Sequence, residues 1–254
     1  MAEWLSRVER LIGDEALQRL FAARVAVIGL GGVGAAAAEA LCRSGIGSLL
    51  LVDADVVDVS NLNRQLIATH ETVGEAKTEA AARRLGSINP DIELTLSREF
   101  LGDGNLDFLA DWRPDVVLDA IDTVTAKLAL AKLCAHRKIM LISCFGTGNR
   151  LHPELLRLGT AADTAGCGCR LAQVMRKELK KRAIPSPLVV YSLEKPLEPQ
   201  NSPSENGRHP PASMAFVPNA AGFTMAAAAV RGILAQPRQT PQSAKGCEGR
   251  SLHI

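Results

Sequence analysis

Arg24-Val-Ala-Val-Ile28, running directly into Gly29-Leu30-Gly31-Gly32-Val33-Gly34, decides the fold of this chain. A short β-branched run, a glycine turn and then an Ala-rich stretch ending near Ser44 read as strand, turn and helix, with Gly45 placed as the helix C-terminal cap. The next apolar run, Ser48 to Asp53, follows at once as a second strand. Val73 to Ile88 reads as a helix stopped by Asn89-Pro90. Ile92 to Phe100 reads as a strand and Asn105 to Trp112 as a short helix. Val116 to Asp119 and Ile139 to Ile142 are continuous apolar runs of the parallel-sheet type, separated by a helix over Ala126 to His136. This alternation predicts an α/β protein with a doubly wound, mostly parallel sheet of the Rossmann-like type.

Beyond Gly148 the alternation loosens. A basic amphipathic helix is predicted over Arg170 to Arg182 and a strand over Leu188 to Tyr191. Met214 to Val217 reads as a return to the sheet, with a last helix from Ala220. The economical account is one domain over residues 1–235, with a basic insertion at about 149–186, a mobile Pro- and Ser-rich loop at about 195–212 and a flexible polar tail over 236–254.

Of the 254 residues, 47% are hydrophobic but only 4% aromatic, so the core must be built from Ala, Leu, Val and Ile. So few aromatics exclude a base-stacking platform, and a net charge of +2 gives no sign of a generic nucleic-acid binder. The six cysteines do not form a disulfide framework pattern, the N-terminus lacks the apolar run of a secretory signal, and no apolar stretch reaches the roughly 18–20 residues that span a bilayer. The expectation is a reduced, cytoplasmic protein with no membrane association.

The glycine turn lets backbone approach phosphate closely, and the helix after it offers free N–H groups and a positive dipole end. Asp53, at the end of the second strand, is placed to accept ribose hydroxyls. Asp53-Ala-Asp55-Val-Val-Asp58-Val-Ser60-Asn61-Leu-Asn63-Arg64-Gln65 packs polar groups onto the sheet's C-terminal edge, and Lys77 follows. Arg64 and Lys77 beside a polyphosphate would neutralise charge developing during nucleotidyl transfer, and Asp122 could hold Mg²⁺ through one carboxylate. Hydride transfer needs neither the basic pair nor the second acid. The bland alternative is that these three side chains are solvated or pair with one another.

The combination Gly-x-Gly-Gly-x-Gly, Asp-x-Asp-x-Val-x-x-Ser-Asn-x-x-Arg-Gln and Val-Gly-x-x-Lys resembles the ATP-dependent adenylating superfamily of ubiquitin-activating enzymes and bacterial sulfur-carrier activators. The resemblance covers about residues 5–235 and implies carboxylate adenylation with ATP and Mg²⁺ as cofactors. It implies that Gly29, Gly31, Gly32, Gly34, Asp53, Asp55, Asn61, Arg64, Gln65 and Lys77 contact the nucleotide, that Asp53 holds the ribose and that Asp122 holds the metal. It also implies that Arg7 reaches the site of a partner subunit, hence a homodimer whose catalytic set is Arg7, Arg64, Lys77 and Asp122.

Within the superfamily the chain most resembles the branch that dehydrates threonylcarbamoyladenosine in tRNA. The resemblance rests on Arg43-Ser-Gly-Ile-Gly, on Gly146-Thr-Gly148-Asn-x-x-x-Pro153 and on Met175-Arg-Lys-Glu-Leu-Lys-Lys-Arg182. The last stretch holds five basic residues and one acid between Arg176 and Arg182, a local +4. Arg176, Lys177, Lys180, Lys181 and Arg182 would position tRNA through its phosphates. The alternatives are adenylation of a ubiquitin-like sulfur carrier and a catalytically silent nucleotide-binding scaffold; a sulfur-transfer partner protein also stays open. Sulfur-carrier activators usually bear two Cys-x-x-Cys pairs for zinc, which this sequence lacks, since Cys167-Gly-Cys169 is spaced too closely. Cys144, Cys167 and Cys169 are the thiols that could form a thioester. Two departures stand out: Ile67 follows Arg-Gln-Leu where many relatives show Ile-His-Ala, and Val217-Pro-Asn-Ala-Ala-Gly222 carries no cysteine before the last helix.

Overall fold

The computed structural model describes residues 3–102, 104–198 and 211–235. After a 3-10 turn at Glu3–Leu5, helices α1 (Ser6–Ile12) and α2 (Asp14–Ala22) lead into β1 (Arg24–Ile28), α3 (Gly32–Arg43) and β2 (Ser48–Val52). Then come α4 (Lys77–Ile88), β3 (Glu93–Ser97), α5 (Asp107–Trp112), β4 (Val116–Asp119), α6 (Val124–Arg137) and β5 (Met140–Phe145). β6 (Leu156–Gly159), α7 (Arg170–Lys181), β7 (Leu188–Ser192) and α8 (Phe216–Ala235) complete the elements.

The seven strands form one sheet in the order β3-β2-β1-β4-β5-β7-β6, parallel throughout except for β6 against β7. The predicted doubly wound architecture is therefore what the chain adopts. Strand order reverses between β1 and β4, and such a switch point opens a crevice at the carboxyl ends of the two strands. Successive residues of β1 point to opposite faces: Val25 and Val27 pack with α3 and α8, whereas Ala26 and Ile28 pack with α6 and α7.

Small side chains bring the first of these layers close. Ala35 to Ala38 of α3 are buried, and Gly222 of α8 crosses them where a Cβ would collide with the Val33 carbonyl oxygen. The aliphatic, aromatic-poor composition thus builds a layer in which helix backbones nearly touch.

Three expectations are corrected. The helix expected from Val73 begins at Lys77, because Val57 donates to the Glu75 carbonyl (2.8 Å) and accepts from the Gly74 N–H (2.8 Å), holding 74–76 as a pinned turn with Gly74 at φ +88°. Met214–Val217 does not return to the sheet. Helix α8 begins at Phe216 instead, since Pro218 in its first turn needs no backbone donor. The basic insertion also supplies a strand: β6 pairs with β7 and forms the edge of the sheet, while α7 packs on the face with α6. Most of the proposed mobile loop (199–210) and the tail (236–254) lie outside the described residues.

Substituting Gly222→Ala should force α3 and α8 apart at the cost of about 1–3 kcal/mol. The melting temperature should fall by about 2–4 °C for each kcal/mol in a protein of this size, and an unchanged thermal melt would contradict the close crossing.

Candidate nucleotide and acceptor site

The glycine turn lies at the β1–β4 switch point, and three of its glycines are required by the protein itself. Gly29 adopts φ +88° and donates to the Val52 carbonyl at 2.8 Å. A Cβ on Gly34 would collide with the Gly29 carbonyl oxygen, and one on Gly32 would lie 3.2 Å from the Arg64 carbonyl oxygen. Gly31 differs, because a Cβ there would meet no atom within 4 Å. Its backbone is open to the cleft, as a phosphate cradle requires. The turn is tied to β2 by Asp53, whose Oδ2 accepts from the Leu30 N–H at 2.6 Å and whose Oδ1 accepts from the Asp55 N–H at 2.9 Å. Each carboxylate oxygen keeps a lone pair for a ribose hydroxyl.

The cleft in front of this turn has a volume of about 400 Å³ and brings together Gly29, Gly31, Gly32, Asp53, Asp55, Asn61, Arg64, Gln65, Lys77 and Asp122. Gly34 lies behind it, inside α3. Lys77, nearly buried, donates to Asp55 at 2.7 Å and lies 3.9 Å from Asp53. Phosphate would compete with the exposed Asp55 carboxylate for this ammonium. Asp58 caps the 3-10 turn Val59–Asn61, accepting from the Ser60 N–H at 2.8 Å, and so aims Asn61 and Arg64 into the cleft. The Arg64 guanidinium donates to the Ser60 carbonyl (2.7 Å) and to Asn63 (3.0 Å) but makes no ion pair among the described residues, leaving its charge available. Gln65 keeps a buried Oε1 with no donor. The sequence reading missed Phe100 and Leu101, which follow β3 and give the cleft an apolar wall suited to a base.

Asp122 presents an exposed carboxylate whose one side-chain hydrogen bond among the described residues is from Thr123 Oγ1 at 3.5 Å. A single free carboxylate beside a phosphate site suits Mg²⁺, which takes most of its oxygen ligands from water and substrate. Among the described residues no three His, Cys, Asp or Glu side chains cluster for a metal.

Beneath Asp122 lies a feature the sequence reading did not single out. Lys127 of α6 is wholly buried and donates to both oxygens of buried Asp119 at 3.0 Å and to the Cys144 carbonyl at 2.9 Å. Ser143 donates to the same Asp119 carboxylate at 2.8 Å. These bonds lock the ends of β4 and β5 together. The available signal was a lysine set within the apolar run Ala126 to Ala131 of α6.

The remaining predicted residues are more dispersed. Arg7 is exposed on α1, next to Trp4, which shares a pocket with the first residues of β1, β2 and β3. That is the sheet end opposite the cleft, so Arg7 does not reach its own chain's site. On α7, Lys177, Lys180 and Lys181 are exposed without an ion pair among the described residues. Arg176 is instead spent on the Thr164 carbonyl (2.8 Å) and hydroxyl (2.9 Å), and Arg182 on Glu178 (3.2 Å). None of the three thiols is presented as a nucleophile. Burial pushes the Cys144 thiol up to about 12, Cys169 Sγ accepts from the Ala172 N–H as the cap of α7, and Cys167 is buried.

A turn with an open glycine, two basic side chains and a free acid around one switch-point crevice define a nucleotide-binding enzyme of the adenylating type. The chain belongs to the ThiF family, whose model matches residues 5–246. The tRNA threonylcarbamoyladenosine dehydratase of Bacillus subtilis is 38% identical over 245 residues, 92% of this chain and 96% of that protein. The structure of Escherichia coli tRNA N6-threonylcarbamoyladenosine dehydratase in complex with ATP matches with a TM-score of 0.83 at 32% identity, covering 92% of this chain and 94% of that one. Similarity to the E. coli sulfur carrier protein ThiS adenylyltransferase is 38% but shorter, 142 residues spanning 54% of this chain and 56% of that protein.

Replacing Lys127 by Met strands a buried carboxylate and should cost about 3–5 kcal/mol in urea unfolding. Replacing Asp119 by Leu as well should recover much of that loss. A double variant no more stable than Lys127→Met would contradict the pairing.

Proposed function

We propose that this chain is a cytosolic, ATP- and Mg²⁺-dependent enzyme that dehydrates N6-threonylcarbamoyladenosine in tRNA. The observation that carries this reading is the meeting of the Arg64 and Lys77 charges with the glycine turn and Asp122 in one cleft. Near-full-length similarity to the Bacillus subtilis dehydratase favours the tRNA substrate over a carrier protein. ATP would lie over Gly31 with its ribose on Asp53, and Mg²⁺ on Asp122 would draw charge from the phosphates.

The threonyl carboxylate oxygen attacks the α-phosphorus, and the bond to pyrophosphate breaks. Arg64 and Lys77 neutralise the charge that develops there. The neighbouring carbamoyl group then attacks the activated acyl carbon, AMP leaves with the carboxylate oxygen, a proton is lost and a ring closes. AMP is a good leaving group, so no protein thiol is needed. Arg7 would come from a second copy of the chain, making the active unit a homodimer. The exposed lysines of α7 would hold tRNA phosphates.

Arg64→Ala should cut pyrophosphate exchange supported by threonylcarbamoyladenosine-containing tRNA by about 100-fold, the scale of one missing charge donor. Exchange within threefold of wild type would contradict the assignment. Exchange supported by a carrier protein's C-terminal glycine, and not by tRNA, would favour the sulfur-carrier reading. Reversing Lys177, Lys180 and Lys181 to Glu should weaken tRNA binding and lower its logarithmic salt slope by about one for each phosphate no longer neutralised. An unchanged slope would remove α7 from the RNA interface.

A further inference from the structure

The loop Ala120-Ile121-Asp122 is a shared wall. Its other side borders a second cavity of about 940 Å³, near the upper end of the roughly 300–1,000 Å³ typical of small-ligand pockets. The floor is the turn from Gly146 to Arg150, and its shape is tightly set. A Cβ on Gly146 would collide with Cys169 Sγ, and one on Gly148 would lie 2.6 Å from Pro211.

The charge in this cavity is unusual. Arg150 is buried, and its guanidinium donates to backbone carbonyls: Gly146 (2.7 Å), Gly148 (3.1 Å), Glu194 (3.1 Å) and Cys167 (3.4 Å). It makes no ion pair among the described residues, and the neighbouring Glu194 carboxylate is taken by the Leu151 and His152 N–H groups. Carbonyls take four of its five N–H donors while no carboxylate pairs with it among the described residues, so the floor carries a positive potential in a low-dielectric setting. Asn149 adds a buried Oδ1 with no donor. At the mouth stands Arg170, the first residue of α7, exposed and without a hydrogen-bond or ion-pair partner among the described residues. The acids that line the cavity are Asp122, on the shared wall, and Glu198, exposed on the rim.

Arg170 also begins a stripe. Positions 170, 174, 177 and 181 share one helical face, placing Lys177 and Lys181 about 10 and 16 Å further along the axis. Ala172, Met175 and Leu179 take the buried face. This stripe differs from the run between 176 and 182 seen in the sequence, two members of which are engaged elsewhere.

We propose that the second cavity is the acceptor pocket, that it takes one carboxylate-bearing nucleotide of an RNA strand, and that Arg170 binds a phosphodiester flanking that nucleotide while Lys177 and Lys181 follow the strand outward. This rests on the tRNA reading above. The nucleotide's carboxylate enters along the Ala120–Asp122 wall toward the α-phosphate. Arg150 acts as a positioning residue that holds the floor and biases the pocket toward an anion. A guanidinium at the mouth suits phosphate, which it can engage with two parallel N–H bonds.

The test uses the full chain saturated with a non-hydrolysable ATP analogue and titrated with a labelled stem-loop RNA containing threonylcarbamoyladenosine. A second stem-loop carries uncharged methylphosphonates in place of the two phosphodiesters that flank the modified nucleoside. Arg170→Ala should raise Kd for the first RNA about tenfold, and the uncharged linkages should do the same to the wild-type chain. Combined, the two changes should add no more than about twofold, because they remove the same interaction. Affinity for the ATP analogue should stay within twofold. Additive effects, an unchanged Kd for Arg170→Ala, or an equal loss of analogue binding would overturn the proposal. Coupled binding in this titration, with no dehydrated product when ATP and Mg²⁺ replace the analogue, would support the pocket while the activity reading fails. Wild-type chain that does not bind the stem-loop at all overturns the proposal together with the tRNA reading.

Discussion

A lysine sealed inside an α/β sandwich must be neutralised where it sits, and the whole active face is arranged around how Lys127 is. Its ammonium binds Asp119 at the end of β4 and the Cys144 carbonyl near the end of β5. Removing two ions from water is costly, and such pairs seldom stabilise more than apolar packing would. What this one supplies is position. The next residues after Asp119 form the wall common to both cavities, and those just after Cys144 form the floor of the second. On the proposed function, a fixed β4–β5 edge would set the distance between a bound nucleotide and the carboxylate that approaches it.

The other half of the site is set by the absence of side chains. Gly34 and Gly29 let α3 start directly against the end of β1, and Gly222 lets α8 lie on α3 backbone to backbone. Asp53 then fastens the turn from the side, through the Leu30 N–H. Cations come from two separate segments, Arg64 from the pinned excursion after β2 and Lys77 from the first turn of α4. Arg64 has no ion-pair partner among the described residues, and the shorter of the two ion pairs of Lys77, 2.7 Å against 3.9 Å to the largely buried Asp53 side chain, is with exposed Asp55. Both can turn to a polyphosphate at little cost.

Much of this was legible in the sequence because it depends on local chemistry. The glycine turn, the parallel strands, Asp53 and the Asn61 to Lys77 block announce themselves by residue type and spacing. What depends on partners distant in sequence did not. The start of α4 moved to Lys77 because Val57 claims the backbone of Gly74 and Glu75, and β6 exists only because β7 offers it an edge. Counting charge along the chain between 176 and 182 picked out Arg176 and Arg182, which Thr164 and Glu178 occupy, and passed over Arg170, which shares a face with Lys177 and Lys181. Burial without an ion-pair partner among the described residues, the property that marks Arg150, cannot be read from composition at all.

The two adjoining cavities, on this reading, join a nucleotide's α-phosphate to a carboxylate carried by tRNA. Mass spectrometry of nucleosides from threonylcarbamoyladenosine-containing tRNA, after incubation with the purified chain, ATP and Mg²⁺, tests that junction most directly. The modified nucleoside should lose the mass of one water only when ATP is present, with AMP and pyrophosphate formed in equal amounts. An unchanged nucleoside mass under those conditions, with the protein folded and binding ATP, would contradict it.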